Sequence, residues 1–247
     1  MQKRKGIILA GGSGTRLDPI TKSISKQLIP IYNKPMIYYP LSVLMLAGIQ
    51  DILVITQSYF IALYKKLLGD GNNFGINIQY ETQDSPNGIA ESLLIGENFI
   101  GDDKIALILG DNIFYGSSLT GQLLAADSSD LNSIFCSKVD NRSDFGILEV
   151  DRIKNNKKII EKPKHSESNL AVTGLYFYNN DVIKIAKKLK PSTRGELEIT
   201  DLNNHLIKIN EINVVNLYRG TLWLDTGTFE NLYQCSSIIY SIEKNTN

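Results

Sequence analysis

The sequence predicts an α/β fold, a mainly parallel sheet with helices on both sides, and three observations carry that prediction. Ile52-Leu53-Val54-Ile55 and Ile105-Ala106-Leu107-Ile108-Leu109 are continuous apolar runs, the pattern of parallel strands covered on both faces. Strand-like and helix-like segments alternate through the first hundred residues, as βαβ units do. The first apolar run stops abruptly at Gly11-Gly12-Ser13-Gly14-Thr15-Arg16, a glycine-rich turn at a strand end.

The elements follow in order. Pro30 and Pro35 bracket an extended segment over 29–35, and Pro35 opens a helix over 36–47 that Gly48 ends as a C-cap. The strand 52–55 is followed by a helix over 60–68, ended by Gly69, and by a strand over 76–80. Asp84-Ser85-Pro86-Asn87-Gly88 is turn chemistry leading into a helix over 89–99. The strand 105–109 then ends at Gly110-Asp111. The second half changes rhythm: strands over 133–138, 146–150, 157–161 and 171–178 have little helix between them, which predicts antiparallel or mixed pairing added to the parallel core. Val182, Ile185, Ala186 and Leu189 form a helical stripe with Asn180 as N-cap. A further helix covers 199–209, a strand 212–217, and a short extended piece 222–224 precedes Asp225. The last helix, over 229–242, carries Phe229, Leu232, Tyr233, Ser236, Ile239 and Tyr240 on one face. No linker or repeat interrupts the chain, so residues 1–247 read as one domain.

Composition narrows the function. Lys+Arg 26 against Asp+Glu 26 leaves no net charge, which argues against a nucleic-acid backbone or an anionic membrane surface as the main partner. Cys136 and Cys235 stand far apart and in no metal or redox spacing, which suits a reducing cytoplasm. His165 and His205 have no companions for a zinc site. The N-terminal apolar run is too short for a signal peptide, and no stretch approaches membrane-spanning length.

Open α/β sheets bind ligands beyond the carboxyl ends of their strands. Gly11, Gly12 and Gly14 permit positive φ and let backbone N–H groups turn toward an anion, Ser13 and Thr15 add hydroxyls, and Arg16 and Lys26 add cations. The stretch is neither a Walker loop nor a dinucleotide fingerprint, and an ordinary strand-to-helix turn is its bland alternative. Asp111 and Asp225 follow predicted strands, where two carboxylates could share one Mg²⁺ or, taken singly, cap a turn. Glu161-Lys162-Pro163 and Arg194-Gly195-Glu196-Leu197-Glu198 are further charged clusters, either pocket-facing or solvated.

Gly11-Gly12-Ser13-Gly14-Thr15-Arg16-Leu17, Ser25-Lys26-Gln27, Lys34-Pro35-Met36-Ile37-Tyr38-Tyr39-Pro40 and Leu109-Gly110-Asp111-Asn112 resemble the nucleotidyltransferases that act on sugar 1-phosphates. Ala171 to Phe177, Arg194 to Asp201 and Trp223 to Gly227 are similar to the thymidylyltransferase branch of that family. The resemblance runs through nearly the whole chain. It implies a three-layer α/β/α sandwich with a mixed, mainly parallel central sheet, and an enzyme that transfers dTMP from dTTP to glucose 1-phosphate with Mg²⁺, giving dTDP-glucose and pyrophosphate. It further implies Leu9, Gly11, Gly12, Ser13, Gly14, Thr15, Arg16 and Lys26 around the nucleotide, and Gln83 and Gly88 at the thymine edge. Asp111 and Asp225 would hold Mg²⁺; Asn112, Gly146, Glu161 and Val172 would contact the sugar; Lys162 and Arg194 would meet its phosphate. Arg16, Lys26, Lys162, Asp111 and Asp225 are the expected catalytic set. A cytoplasmic homo-oligomer, tetramer or dimer, is the expected state. The family's alternatives are a uridylyltransferase or another sugar, and more remotely a non-catalytic nucleotide-sugar binder. Two departures stand out: Phe145 replaces a tyrosine common in the family, and the sequence stops soon after its last helix where long members continue. Tyr115, Gly116 and Arg219 match parts of the family's second nucleotide site.

Overall fold

The computed structural model describes residues 3–151 and 156–245. In chain order its strands are β1 (Arg4–Ala10), β2 (Pro30–Ile31), β3 (Lys34–Pro35), β4 (Asp51–Thr56), β5 (Asn77–Thr82), β6 (Lys104–Leu109), β7 (Asn112–Tyr115), β8 (Asn132–Lys138), β9 (Gly146–Asp151), β10 (Asn156–Glu161), β11 (Leu170–Tyr178), β12 (Ile212–Asn216) and β13 (Leu222–Asp225). Its α-helices are α1 (Tyr38–Leu46), α2 (Ile61–Leu68), α3 (Glu91–Ile95), α4 (Glu97–Ile100), α5 (Leu119–Asp127), α6 (Val182–Ala186), α7 (Ile199–Lys208) and α8 (Phe229–Asn245).

The central sheet runs β10-β9-β11-β6-β1-β4-β5, with β8 against β11 and β12 beyond β8. β6, β1, β4 and β5 pair in parallel, as β8 and β12 do, while β11 pairs antiparallel with β6, β8 and β9. The sheet is therefore mixed, with antiparallel strands added to a parallel core as the change of rhythm predicts. Alternation along β1 explains the layers. Ile8 and Ala10 face one core with Val54 and Ile108, closed by Leu41 and Leu44 of α1, Tyr64 of α2 and Leu123 of α5. Ile7 faces the other with Leu53 and Leu107, closed by Leu93 of α3, Val182 of α6 and Leu202 of α7. A smaller cluster of Ile31, Met36, Tyr39, Ile113, Cys235 and Ile239 seats α8 against β2, β7 and the start of α1.

Several elements depart from the sequence-based expectation. The helix expected over 89–99 breaks into α3 and α4 at Gly96, where a Cβ would lie 2.9 Å from Ile7 Cδ1, so the backbone packs directly on β1. Asn180 is not a cap: its Nδ2 donates to the carbonyls of Gly101 (2.6 Å) and Asp103 (3.1 Å), and the short helix begins at Val182. α8 buries Cys235 and Ile239, whereas Phe229, Tyr233 and Tyr240 of the expected inner face are exposed. β7 and α5 lie in a stretch where the sequence reading placed no element.

Candidate active site

Three strand ends converge. β1 and β6 run in register from Gly6↔Ala106 to Leu9↔Leu109, and the Gly110 N–H donates to the Leu9 carbonyl at 2.8 Å, tying the two ends together. Asp111 follows immediately. β13 pairs antiparallel with β7, placing Asp225 opposite Asn112 and thereby beside Asp111. Parallel pairing and one short hairpin-like ladder thus bring together two carboxylates far apart in sequence.

Their environments differ. Lys26, 8 % exposed, forms an ion pair with Asp111 Oδ2, and Asn112 Nδ2 donates to Asp111 Oδ1 at 3.1 Å. Burial pushes the Asp111 carboxyl up, but the Lys26 charge and these hydrogen bonds outweigh it and hold the carboxyl below its ordinary value. Asp225 has no such partner. Burial first, and then the Asp111 charge, push its carboxyl up to about 6, with Lys26 and Arg16 offsetting only part. Its Oδ1 is buried with no hydrogen-bond partner. An orphaned carboxylate oxygen beside a second carboxylate is an all-oxygen donor set, and it fits a hard cation such as Mg²⁺, which usually takes one or two protein carboxylates plus phosphates.

Thr226 joins the pair from behind. Its N–H and its Oγ1 both donate to the carbonyl oxygen of Asp111, at 3.1 and 2.8 Å. Arg16 approaches from the glycine loop: a Cβ on Gly227 would sit 2.9 Å from Arg16 Cζ and 3.0 Å from Asp225 Oδ1, so the guanidinium lies across the glycine next to the carboxylate. Of the loop glycines, Gly14 alone has positive φ (64°). Gly11 is needed for space instead, because its Cβ would be 2.8 Å from Gln83 Oε1, while Gly12 faces open space. Ser13 and Thr15 are exposed and Leu9 is half-buried.

A cavity of about 240 Å³ opens beside this pair, lined by nine of the expected site residues: Arg16, Asp111, Asn112, Gly146, Glu161, Lys162, Val172, Arg194 and Asp225. It sits where β11 changes register, between Val172 and Tyr176. Lys162 reaches it from an unusual backbone, φ 44°, held by its N–H donating to the Phe145 carbonyl at 3.0 Å. Arg194 is less free: its Nη2 lies 3.5 Å from Glu161, 3.4 Å from Glu196 and 2.8 Å from Glu198. Asn112 is mostly committed to the protein, since its Oδ1 accepts from Gly174 N (3.0 Å) and Trp223 Nε1 (2.7 Å). Phe145, which stands where a tyrosine was expected, packs on Trp223 with ring centroids 5.0 Å apart.

The remaining expected residues lie outside the lining of this cavity, on the side of the glycine loop. Gln83 is 6 % exposed, and its Nε2 donates to Gly88 O (3.2 Å) and Glu91 Oε2 (2.7 Å). Gly88 has φ 105° and a Cβ there would overlap the backbone of Leu197, so it serves close backbone approach between two loops. The Leu197 N–H donates to Asn87 O at 2.6 Å, and the Ala90 N–H to Leu197 O at 3.2 Å, completing the junction. Gly88→Ala should therefore cost about 2–3 kcal/mol of stability, from strain at positive φ and overpacking. Thermal denaturation checks this, and an unchanged Tm would show that the junction relaxes freely.

Sequence reasoning gave no role of their own to Thr226, to Thr200, whose Oγ1 donates to Glu161 Oε2 at 2.5 Å, or to Trp223. All three stand inside quoted motifs, but a neutral polar or aromatic side chain carries no charge to mark it. A second cavity of about 790 Å³ is lined by Tyr115, Gly116 and Gly220 with Lys34, Tyr38 and Glu243; Arg219 is not among its lining residues.

A glycine-rich loop, two neighbouring carboxylates and the cations Arg16 and Lys26 thus gather at strand ends, the kind of arrangement nucleotidyl transfer calls for. The family model for nucleotidyl transferases matches residues 5–241, and the chain belongs to that family. Its relatives narrow the likeness. The chain is 54 % identical over 240 residues to a glucose-1-phosphate thymidylyltransferase of Neisseria meningitidis serogroup A, covering 97 % of this chain and 83 % of the relative. It is 52 % identical over 244 residues to one from Xanthomonas campestris pv. campestris, covering 98 % and 83 %. Among solved structures, a Bacillus anthracis protein assigned the same activity, in complex with a sucrose, superposes with TM-score 0.86 at 38 % identity, over 95 % of this chain and 94 % of that one. A UDP-glucose pyrophosphorylase complexed with UDP-glucose gives TM-score 0.83 at 26 % identity, over 98 % and 99 %.

Proposed function

We propose that the chain, a single nucleotidyltransferase domain, transfers dTMP from dTTP to α-D-glucose 1-phosphate and releases pyrophosphate, with Mg²⁺ held by Asp111 and Asp225. The observation that carries this reading is the convergence of two carboxylates with Arg16 and Lys162 on one cavity of about 240 Å³. The names of the relatives support the choice of base and sugar.

A sugar 1-phosphate is already anionic at neutral pH, so its oxygen needs no general base to attack the α-phosphorus. The protein has to align two polyanions and neutralise charge that develops as pyrophosphate leaves. The backbone of Leu9, Gly11, Gly12 and Gly14, with the Ser13 and Thr15 hydroxyls, cradles the nucleotide phosphates. Arg16 faces the developing charge, and Lys26 holds Asp111 ionised. Lys162 aligns the attacking phosphate; Arg194 joins it in competition with its three glutamates. Asn112, Gly146, Glu161 and Val172 contact the sugar, Glu161 being pre-aimed by Thr200. When bound, Mg²⁺ supplies charge neutralisation at the phosphates.

Gln83 and Gly88 read the thymine. Since Glu91 fixes the Gln83 amide, its Oε1 faces Gly11 and the nucleotide side. Gln83→Ala should weaken the preference for dTTP over purine nucleotides; an unchanged ranking in competition assays would place base reading elsewhere.

The test of function is pyrophosphate release from dTTP and glucose 1-phosphate, with and without Mg²⁺, and with UTP replacing dTTP. No release with dTTP would sink the reading. Preference for UTP would make the enzyme a uridylyltransferase, the reading that the likeness to UDP-glucose pyrophosphorylase favours. Among the described residues no helix is long and apolar enough to cross a membrane. We place the enzyme in the cytoplasm as a homo-oligomer, a dimer or tetramer, a state supported by the exposed Phe229, Tyr233 and Tyr240 of α8. Light scattering that gives the mass of one chain would overturn that state.

A further inference from the structure

We infer that Thr226 is a positioning residue that sets the separation of Asp111 and Asp225, an inference that rests on reading these two as the Mg²⁺ pair. Two carboxylates facing each other in a buried site repel. Asp225 is the last residue of β13, where ladder pairing ends, so the strand end is the place at which repulsion would open the pair. Thr226 opposes that opening. It directs both its donors to a single acceptor, the Asp111 carbonyl, with N–H at 3.1 Å and Oγ1 at 2.8 Å, filling both lone pairs of that oxygen. On the other side, Asn231 Nδ2 donates to the Asp225 carbonyl at 2.8 Å. The residue adjoining one carboxylate is thus bonded to the backbone of the other, and any change in their spacing must bend two hydrogen bonds.

The side chain has no other evident task. Thr226 is fully buried, with Met36 Sδ 3.1 Å from its hydroxyl, and it does not line the cavity. Valine would fill the same volume without a polar atom to desolvate, so packing alone does not call for threonine. What threonine adds is the second bond to Asp111. Partners that orient metal ligands in this way typically change metal affinity when removed.

Mn²⁺ titrations followed by water-proton relaxation, without nucleotide, test the inference on the wild-type protein and on Thr226→Val, Thr226→Ser and Asp111→Asn. Thr226→Val should bind Mn²⁺ about tenfold more weakly, and Thr226→Ser should recover most of the loss. Circular-dichroism melts confirm that each variant is folded, and Thr226→Ala replaces the valine variant if that one is not. Wild-type affinity in a folded variant without the hydroxyl overturns the inference and leaves the metal pair standing. A loss that serine does not recover also overturns it, because packing would then be the cause. Wild-type binding that Asp111→Asn leaves unchanged overturns the metal reading itself, and the inference with it.

Discussion

Asp225→Asn is expected to lower turnover by at least about two orders of magnitude, as losing an electrostatic partner of the transition state does, while making the metal-free protein more stable near neutral pH. The two effects have one origin. Asp225 is partly buried beside Asp111, its Oδ1 is enclosed without a partner, and its carboxyl is pushed up to about 6 from 3.8. In the folded state it therefore holds a proton that the unfolded chain has released over the window from about pH 4 to 6. The folded protein binds more protons there, so this group's contribution to stability falls as pH rises through the window. By pH 7 the cost is at most about 3 kcal/mol, two pKa units at 1.36 kcal/mol each. Asparagine removes the charge and keeps the shape. Melts of wild type and variant at pH 5 and pH 7 isolate the effect: the variant's advantage should be larger at pH 7, and Mg²⁺ should narrow it by stabilising the wild type alone. An advantage that does not depend on pH, or retained turnover at limiting Mg²⁺, would remove Asp225 from this role.

Arg16→Ala should reduce kcat by about two orders of magnitude or more, as loss of a transition-state charge partner does. Lys26 is committed to Asp111 and Arg194 to its glutamates, whereas Arg16, though near Asp225, forms no direct ion pair among the described residues. Its guanidinium rests on Gly227 beside Asp225, in position to meet phosphate oxygens with two parallel bonds. Arg16→Lys should rescue poorly, because an ammonium cannot reproduce that geometry. Steady-state kinetics in dTTP decide the matter: a variant changed only in KM for dTTP would mean that Arg16 contributes to binding and not to the chemical step.

The parallel core was legible because Ile52–Ile55 of β4 and Ile105–Leu109 of β6 are continuous apolar runs, the pattern of strands covered on both faces. Asp111 was legible as a strand-end carboxylate because β6 is apolar from Ile105 to Leu109 and stops there, whereas the place of Asp225 beside it depends on the β7–β13 ladder outside the central sheet. α8 was less legible. Of the expected face Ile239 is buried and Leu232 packs against it, but the aromatic residues satisfy the 3.6-residue stripe without being buried, and Cys235, outside the stripe, turns inward. β7 is four residues long and owes its existence to β13, more than a hundred positions away, so no local pattern announces it. α5 carries a glycine and apolar residues around much of its girth, which blurs its periodicity. The roles of Thr226 and Thr200 are set by bonds to distant residues, and a short polar side chain looks the same wherever it occurs. Gly88 was read only as a way for backbone to approach the base; that its positive φ also lets it pack against the Leu197 backbone depends on a loop more than a hundred residues away.

The pairing of β7 with β13 has a consequence for how the protein is made. The strands from β1 to β11 supply most of the sheet and precede β13 in the chain, so a nascent polypeptide can bury much of both cores before residue 225 has left the ribosome. Until then Asp111 has Lys26 for company and no second carboxylate. A polypeptide still being synthesised can therefore be largely folded and yet catalytically silent, and translation itself decides when the site first becomes whole.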